Sequence, residues 1–278
     1  MKHLPKGHKK LINAWAFYDW ANSVYPLVIS SAIFPIFYGA LTILKDDNGK
    51  IIDDTIQFLG INFNNDSLIS YVTAAAFLVV SILSPFLSGI ADYIGNKKNF
   101  LKFFCYLGAI SCIGLFWFNL DYLWFGLLCY FLALIGFWSS LVFYNSYLPD
   151  IAFPRQQDKA SAKGFSMGYI GSVILLILCL IMILKYDWFG FEDEGLPTRI
   201  SFVLTGVWWI GFSQYTYYYL PKGNKKVTLT RNILFNGFKE LKKIGKRINA
   251  NMELKSYLTA FFVYSMAVQT IMLIATYF

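Results

Sequence analysis

The stretch FYDWANSVYP, Phe17 to Pro26, places one carboxylate inside a run that is otherwise free of charge from Leu11 to Leu44. On a helix, Asp19, Asn22, Ser23 and Pro26 stand at i, i+3, i+4 and i+7 and share a face, with Tyr25 beside it. That face gathers a carboxylate, an amide, a hydroxyl and a kink residue. Such a set can bind a small polar solute or carry a proton. A charged side chain at mid-bilayer costs about 2.5–3.5 kcal/mol, so ionisable residues inside membrane spans usually serve ion or substrate pathways. Depth gives a second reading. With the span centred near Val28, Asp19 lies roughly 14 Å from the middle at about 1.5 Å per residue. There the carboxylate is cheaper and can simply pair with Lys97, Lys98 or Arg155.

The element that carries this face must cross a membrane. Of the 278 residues 57% are hydrophobic and 14% charged, whereas a soluble domain has about a quarter charged. Seven stretches are apolar enough to cross: Leu11–Leu44, Leu68–Ala91, Phe103–Leu120, Tyr122–Leu148, Gly164–Leu184, Ile200–Leu220 and Ser256–Phe278. About 20 apolar residues suffice for one crossing, so the first is long enough to tilt or to lie partly at an interface. It far exceeds the apolar core of a signal peptide and is read as a retained span. Asp19 is the only Asp, Glu, Lys or Arg within the seven.

The net charge of +8 is distributed as a membrane protein distributes it. With loops assigned alternately and the N-terminus inside, all 24 basic residues except Lys45, Lys50, Lys185 and Arg199 fall on the inner side. That bias sets orientation by the positive-inside rule and excludes a nucleic-acid face, which would need the charges on one surface. Cys105, Cys112, Cys129 and Cys179 all lie within apolar runs and read as small buried hydrophobes. No metal site or cofactor is expected. The first outer loop, with Asn48-Gly49, reads as a solvated hairpin. In the long inner segment, Leu234, Phe238, Leu241, Ile244 and Ile248 recur at helical spacing between lysines. They make a cationic amphipathic helix suited to an anionic leaflet or to bridging two halves.

Weaker polar groups occupy two other spans: Ser139, Ser140, Tyr144 and Asn145 in the fourth, and Tyr264, Ser265, Gln269 and Thr270 in the seventh. Each alone is more often an interhelical hydrogen bond than a ligand group. Gly164, Gly168 and Gly171 form a small-residue face for close helix approach. Trp15, Trp117, Trp124, Trp188 and Tyr215–Tyr219 read as interfacial aromatics, and Trp208-Trp209 as packing. Between spans two and three, SGIADYIGNKK sets Asp92 between Gly89 and Gly95, ahead of Lys97 and Lys98. With Asp150 and Arg155 below span four, these charges form a network that can lock helix ends. An enzyme is excluded: both histidines lie in the N-terminal tail, and no HExxH or GxSxG occurs. A retinal-type protein would need a lysine in the last span.

SGIADYIGNKK resembles the signature loop of the major facilitator superfamily, Gly-x-x-Ala-Asp-x-x-Gly followed by basic residues, with Ser88 at the first glycine and Asn96 at a usually basic position. YDWANSVY (18–25), YNSYLPDIAFPRQQDKASAKGFSMGYIG (144–171) and FFVYSMAVQTI (261–271) resemble a bacterial branch related to the fungal vacuolar amino-acid effluxer linked to autophagy. The resemblance implies an all-α, polytopic helical bundle of twelve spans in two halves. Residues 1–220 would be the six-span N-terminal bundle, 221–255 a basic cytoplasmic connector and 256–278 the first span of an incomplete C-terminal half. It implies a secondary transporter of the inner membrane moving a small solute by alternating access. Asp19, Asn22, Ser23, Tyr25, Ser140, Tyr144, Asn145, Tyr264 and Gln269 would line the substrate or proton pathway, and Gly89, Asp92, Gly95, Lys97, Lys98, Asp150 and Arg155 would gate it. The expected partners are the bilayer, a small-molecule substrate, coupled protons and the missing half. A channel, or a non-transporting seven-span scaffold, is the alternative that composition alone leaves open.

Overall fold

The computed structural model describes residues 4–46, 49–94, 97–222, 242, 245–246 and 248–274. It is a helical bundle. Residues 9–42 form one continuous helical rod in three parts: α1 (Lys9–Asn22), a π-helix (Tyr25–Ile33) and α2 (Phe34–Thr42). Then come α3 (Asn65–Ile94), α4 (Lys97–Gly114), α5 (Leu123–Ile151), α6 (Pro154–Leu184), α7 (Gly195–Tyr219) and α8 (Met252–Ile274). Among the described residues five segments are long and apolar enough to cross a membrane: the rod, 65–87, 97–117, α5 and α6. The sixth and seventh expected runs are also helical, but α7 is rich in tyrosine and hydroxyl residues and less apolar. Two β-hairpins interrupt the all-α pattern between the rod and α3: β1 (Leu44–Lys45) with β2 (Ile51–Asp53), and β3 (Thr55–Phe58) with β4 (Ile61–Asn64). The second closes through Leu59 and Gly60, both at positive φ, as a two-residue hairpin turn demands.

Small residues decide how the helices meet. α4 packs on both α5 and α7. Where α4 crosses α5, a Cβ at Gly136 would strike the backbone of Gly108, and one at Gly108 would enter the Trp209 ring. Where α7 crosses α4, a Cβ at Gly206 would meet the Ala109 carbonyl. Without a hydrophobic force between helices in lipid, such close approach supplies the van der Waals contact that holds them. This accounts for Trp209, which is fully buried. Trp208 donates its indole N–H to the Trp20 carbonyl at 3.1 Å. Trp117, Trp124 and Trp188 are exposed, whereas Trp15, also read as interfacial, is buried in the bundle. All four cysteines are free and buried.

The loops sort to two ends. At one, Lys6 Nζ donates to the Pro149 carbonyl at 2.5 Å, Gly7 N–H to the Ile151 carbonyl at 2.8 Å, and Lys98 Nζ to the Leu220 carbonyl at 2.9 Å. These bonds gather the basic N-terminus, the start of α4, the α5–α6 turn and the end of α7. Cations there also suit the carbonyl-bearing C-termini of α5 and α7. At the other end, Arg199 donates to the Phe116 and Phe118 carbonyls at 2.7 and 2.6 Å. There Tyr38 also donates to the Asn65 carbonyl at 3.0 Å. The seventh run, α8, touches the π-helix but is otherwise largely exposed. The proposed amphipathic connector lies outside the described residues over 223–241.

Overpacking a tight core crossing costs about 1–3 kcal/mol. Gly136→Val is therefore expected to lower the thermal unfolding midpoint in detergent by several degrees. Gly211→Ala, whose Cβ would meet nothing within 4 Å, should not lower it, because alanine is the better helix former.

Candidate functional site

A cavity of about 410 Å³ opens between the rod, α5 and α6. The rod supplies its polar wall: Asp19, Asn22, Ser23 and Pro26 line it, as their shared helical face requires. Beyond Pro26, which has no N–H to donate, the chain turns in π-helical steps. Ser30 and Ser31, one turn beyond Pro26 and Leu27, continue the same wall. The opposite wall is aromatic, with Phe137 and Trp138 from α5 and Phe165 and Tyr169 from α6. Phe165 and Tyr169 are exposed, so the cavity opens along the side of α6.

Asp19 is buried, with 7% of its surface exposed. Its partner is a hydroxyl, not a cation: Tyr144 OH donates to Asp19 Oδ2 at 2.8 Å. Trp15, one turn before Asp19, donates its indole N–H to the Tyr144 carbonyl at 2.8 Å and stacks on the Tyr144 ring with centroids 4.3 Å apart. Trp15 thus fixes the tyrosine that holds the carboxylate. The glycine face of α6 leaves room for it. A methyl group at Gly164 would overlap Asp19 Oδ2, one at Gly168 would overlap Ser23 Oγ, and one at Gly171 would meet Trp20. The stripe read as packing is therefore also what lets α6 close over the carboxylate. Beside Asp19, Asn22 Nδ2 is buried with no hydrogen-bond partner among the described residues. One turn from the carboxylate, this wall therefore holds a buried amide donor that no described residue uses.

The simple pairing of Asp19 with Lys97, Lys98 or Arg155 does not occur. Lys97 Nζ lies 2.9 Å from Asp150 Oδ2 and bonds the Ser146 carbonyl at 3.1 Å. Lys98 caps α7, and Arg155 stands exposed at the start of α6. Among the described residues the gating charges Lys97 and Asp150 meet, while Arg155 is exposed on α6. Gly89 and Asp92 lie on the last turns of α3, and Gly95 falls outside the described residues.

Of the pathway residues, Asp19, Asn22, Ser23 and Tyr25 line the cavity, and Tyr144 reaches it through Asp19. Three lie outside the cavity lining. Ser140 is fully buried and returns its hydroxyl to the Phe137 carbonyl at 2.8 Å. Asn145 is exposed and is not among the lining residues, although it stands one turn beyond Leu141, which is. Tyr264 is 68% exposed on α8. Gln269 lies on α8 as well. The sequence reading passed over Ser30 and Ser31, whose hydroxyls in an apolar run were a legible signal. It also passed over Phe165, Tyr169 and Ser172, which recur at i, i+4 and i+7 beside the glycine stripe.

The model of the family described as vacuole effluxer Atg22 like matches residues 7–159 and 152–278. The chain belongs to this family. An MFS-type transporter of Bacillus subtilis, YxiO, is 32% identical over 98% of this chain and 60% of its own length. Autophagy-related protein 22 of Coccidioides immitis is 24% identical over 74% of this chain and 47% of its own. The chain thus spans about half the length of the curated relatives it matches. The family resemblance read from YDWANSVY, SGIADYIGNKK and the α5–α6 stretch is borne out. The relatives are named as transporters and autophagy proteins, not enzymes.

Interhelical hydrogen bonds in membrane proteins show couplings averaging about 0.6 and reaching about 1.7 kcal/mol. A double-mutant cycle of Asp19→Ala and Tyr144→Phe, read by unfolding in detergent, should give a coupling in that range. Strict additivity would mean the pair makes no bond.

Proposed function

We propose that this chain supplies the N-terminal half and first following span of a secondary carrier of the major facilitator type, which moves a small solute by alternating access. The supporting observation is a membrane-embedded cavity whose one carboxylate is held by a tyrosine hydroxyl instead of a cation. A cation partner would neutralise Asp19 permanently. A hydroxyl leaves it free to take up a proton or a cationic group and release it again.

In this reading residues 1–220 form the six-span bundle, 221–255 the cytoplasmic connector and 256–278 the first span of the second half. The bilayer is the inner membrane, and the basic end with the N-terminus faces the cytoplasm, as the positive-inside bias requires. The substrate class is the amino acid. Its ammonium group would meet Asp19 and its carboxylate the unused Asn22 amide, while Trp138 and Tyr169 would flank the side chain. A proton at Asp19 would couple transport to the membrane gradient. The Lys97–Asp150 pair sits at the cytoplasmic end, where rocking of the halves would break and re-form it.

The native reading frame should run on past the codon for Phe278 by about five further spans, as two six-span halves require. In membranes carrying that frame, Asp19→Asn should lower amino-acid exchange at least tenfold, the worth of roughly one hydrogen bond to a charged group. Membrane abundance should stay unchanged. Unaltered exchange would refute the role of Asp19. Asp150→Asn and Asp92→Asn should each lower exchange more than insertion, and an equal loss of both would assign these residues to folding alone.

A further inference from the structure

A second concavity, of about 430 Å³, lies between α1, α6 and α7 on another side of α1 from Asp19. It is graded along the helix axes. At the basic end of the bundle stand Asn13 of α1 and Lys163 of α6, with Lys163 Nζ donating to Asn13 Oδ1 at 2.8 Å. One turn deeper on each helix the lining is apolar: Phe17 follows Asn13, Met167 follows Lys163, and Phe212 lies one turn inside Tyr215. Phe17 meets Phe212 and Tyr215 edge-on, with centroids 6.0 and 5.1 Å apart, so the floor is a continuous aromatic surface. Near the mouth Lys10 Nζ sits 4.8 Å from the centre of the Tyr219 ring. Among the described residues no Asp or Glu lines the groove.

Its opening is lateral. Lys163, Gly211, Phe212 and Tyr215 are exposed, and a Cβ at Gly211 would meet nothing within 4 Å. A soluble solute would have to reach this surface through hydrocarbon, whereas a lipid is already there. A cationic mouth over an apolar trough also repeats the polarity of a lipid molecule, anion at the interface and chain toward the bilayer centre. Basic pockets between spans on the positive side bind anionic head groups for this reason.

We propose that this groove is a binding site for one anionic phospholipid of the leaflet at the basic end. Its phosphate sits on Lys163 and Asn13 within reach of Lys10, and an acyl chain lies along Phe17, Met167 and Phe212. The Lys163–Asn13 bond holds the lysine over the groove mouth. Gly211 leaves the volume that the chain fills.

The test uses the 278-residue chain purified in detergent and native mass spectrometry with phosphatidylglycerol or phosphatidylcholine of identical acyl chains. Retention should favour phosphatidylglycerol. Lys163→Gln should reduce that retention roughly fivefold, the effect of one basic residue near an anionic surface. Gly211→Leu should displace the lipid by filling the trough. Lys163 and Gly211 both stand at the surface, so both variants should keep the wild-type unfolding midpoint. Equal retention of the two lipids would overturn the proposal. So would displacement of phosphatidylglycerol by inorganic phosphate alone. Loss in Lys163→Gln without loss in Gly211→Leu would also overturn it, because surface charge would then act without the groove.

Discussion

Among the described residues one carboxylate, Asp19, is buried among apolar helices, and it constrains the rest of the bundle. An unpartnered charge in such surroundings is costly, and an ion pair would fix its state. Asp19 accepts instead one hydrogen bond from Tyr144. Tyr144 must then be held with matching accuracy, and Trp15 does so by stacking and by bonding its carbonyl. Carboxylate, tyrosine and tryptophan form one unit joining α1 to α5. The third wall, α6, can approach only because glycine occupies positions 164, 168 and 171. Removing any one part would leave the carboxylate uncovered, unbonded or crowded.

The polar face continues past Pro26. Asn22 and Ser23, Pro26 and Leu27, and Ser30 and Ser31 recur every four residues along the cavity. The last two pairs lie in the π-helical stretch of the rod. The polar wall is thus local in sequence, drawn almost wholly from Asp19 to Ser31. The aromatic wall is assembled from residues more than a hundred positions later.

That difference explains what was legible beforehand. Helical spacing alone puts Asp19, Asn22, Ser23 and Pro26 on one face, and the cavity has them together. Apolar runs and alternating loop charge likewise gave the helices and their two ends. The partner of Asp19 was not legible. Three cations at the right end of the bundle were plausible, and only the tertiary arrangement sends Lys97 to Asp150 and Lys98 to the end of α7. Choosing polar residues by type within span four took in Tyr144, which bonds Asp19, together with Ser140, whose hydroxyl returns to its own helix, and Asn145, which lies outside the cavity lining. The glycines were read rightly as packing, yet what they pack against, a carboxylate, is a fact of the α1–α6 interface. Hairpins β1–β2 and β3–β4 came from a loop in which a single turn was expected.

The central claim is that the face from Asp19 to Ser31 borders a space that water and solute can enter. Cysteine scanning tests it directly, because the four native cysteines are buried and contribute little background. Ser23→Cys and Ser31→Cys, in membranes, should react with a water-soluble methanethiosulfonate reagent. Ser139→Cys, at a fully buried position outside the cavity, should not. If the two wall positions proved as silent as position 139, the cavity would be closed packing and Asp19 a structural residue.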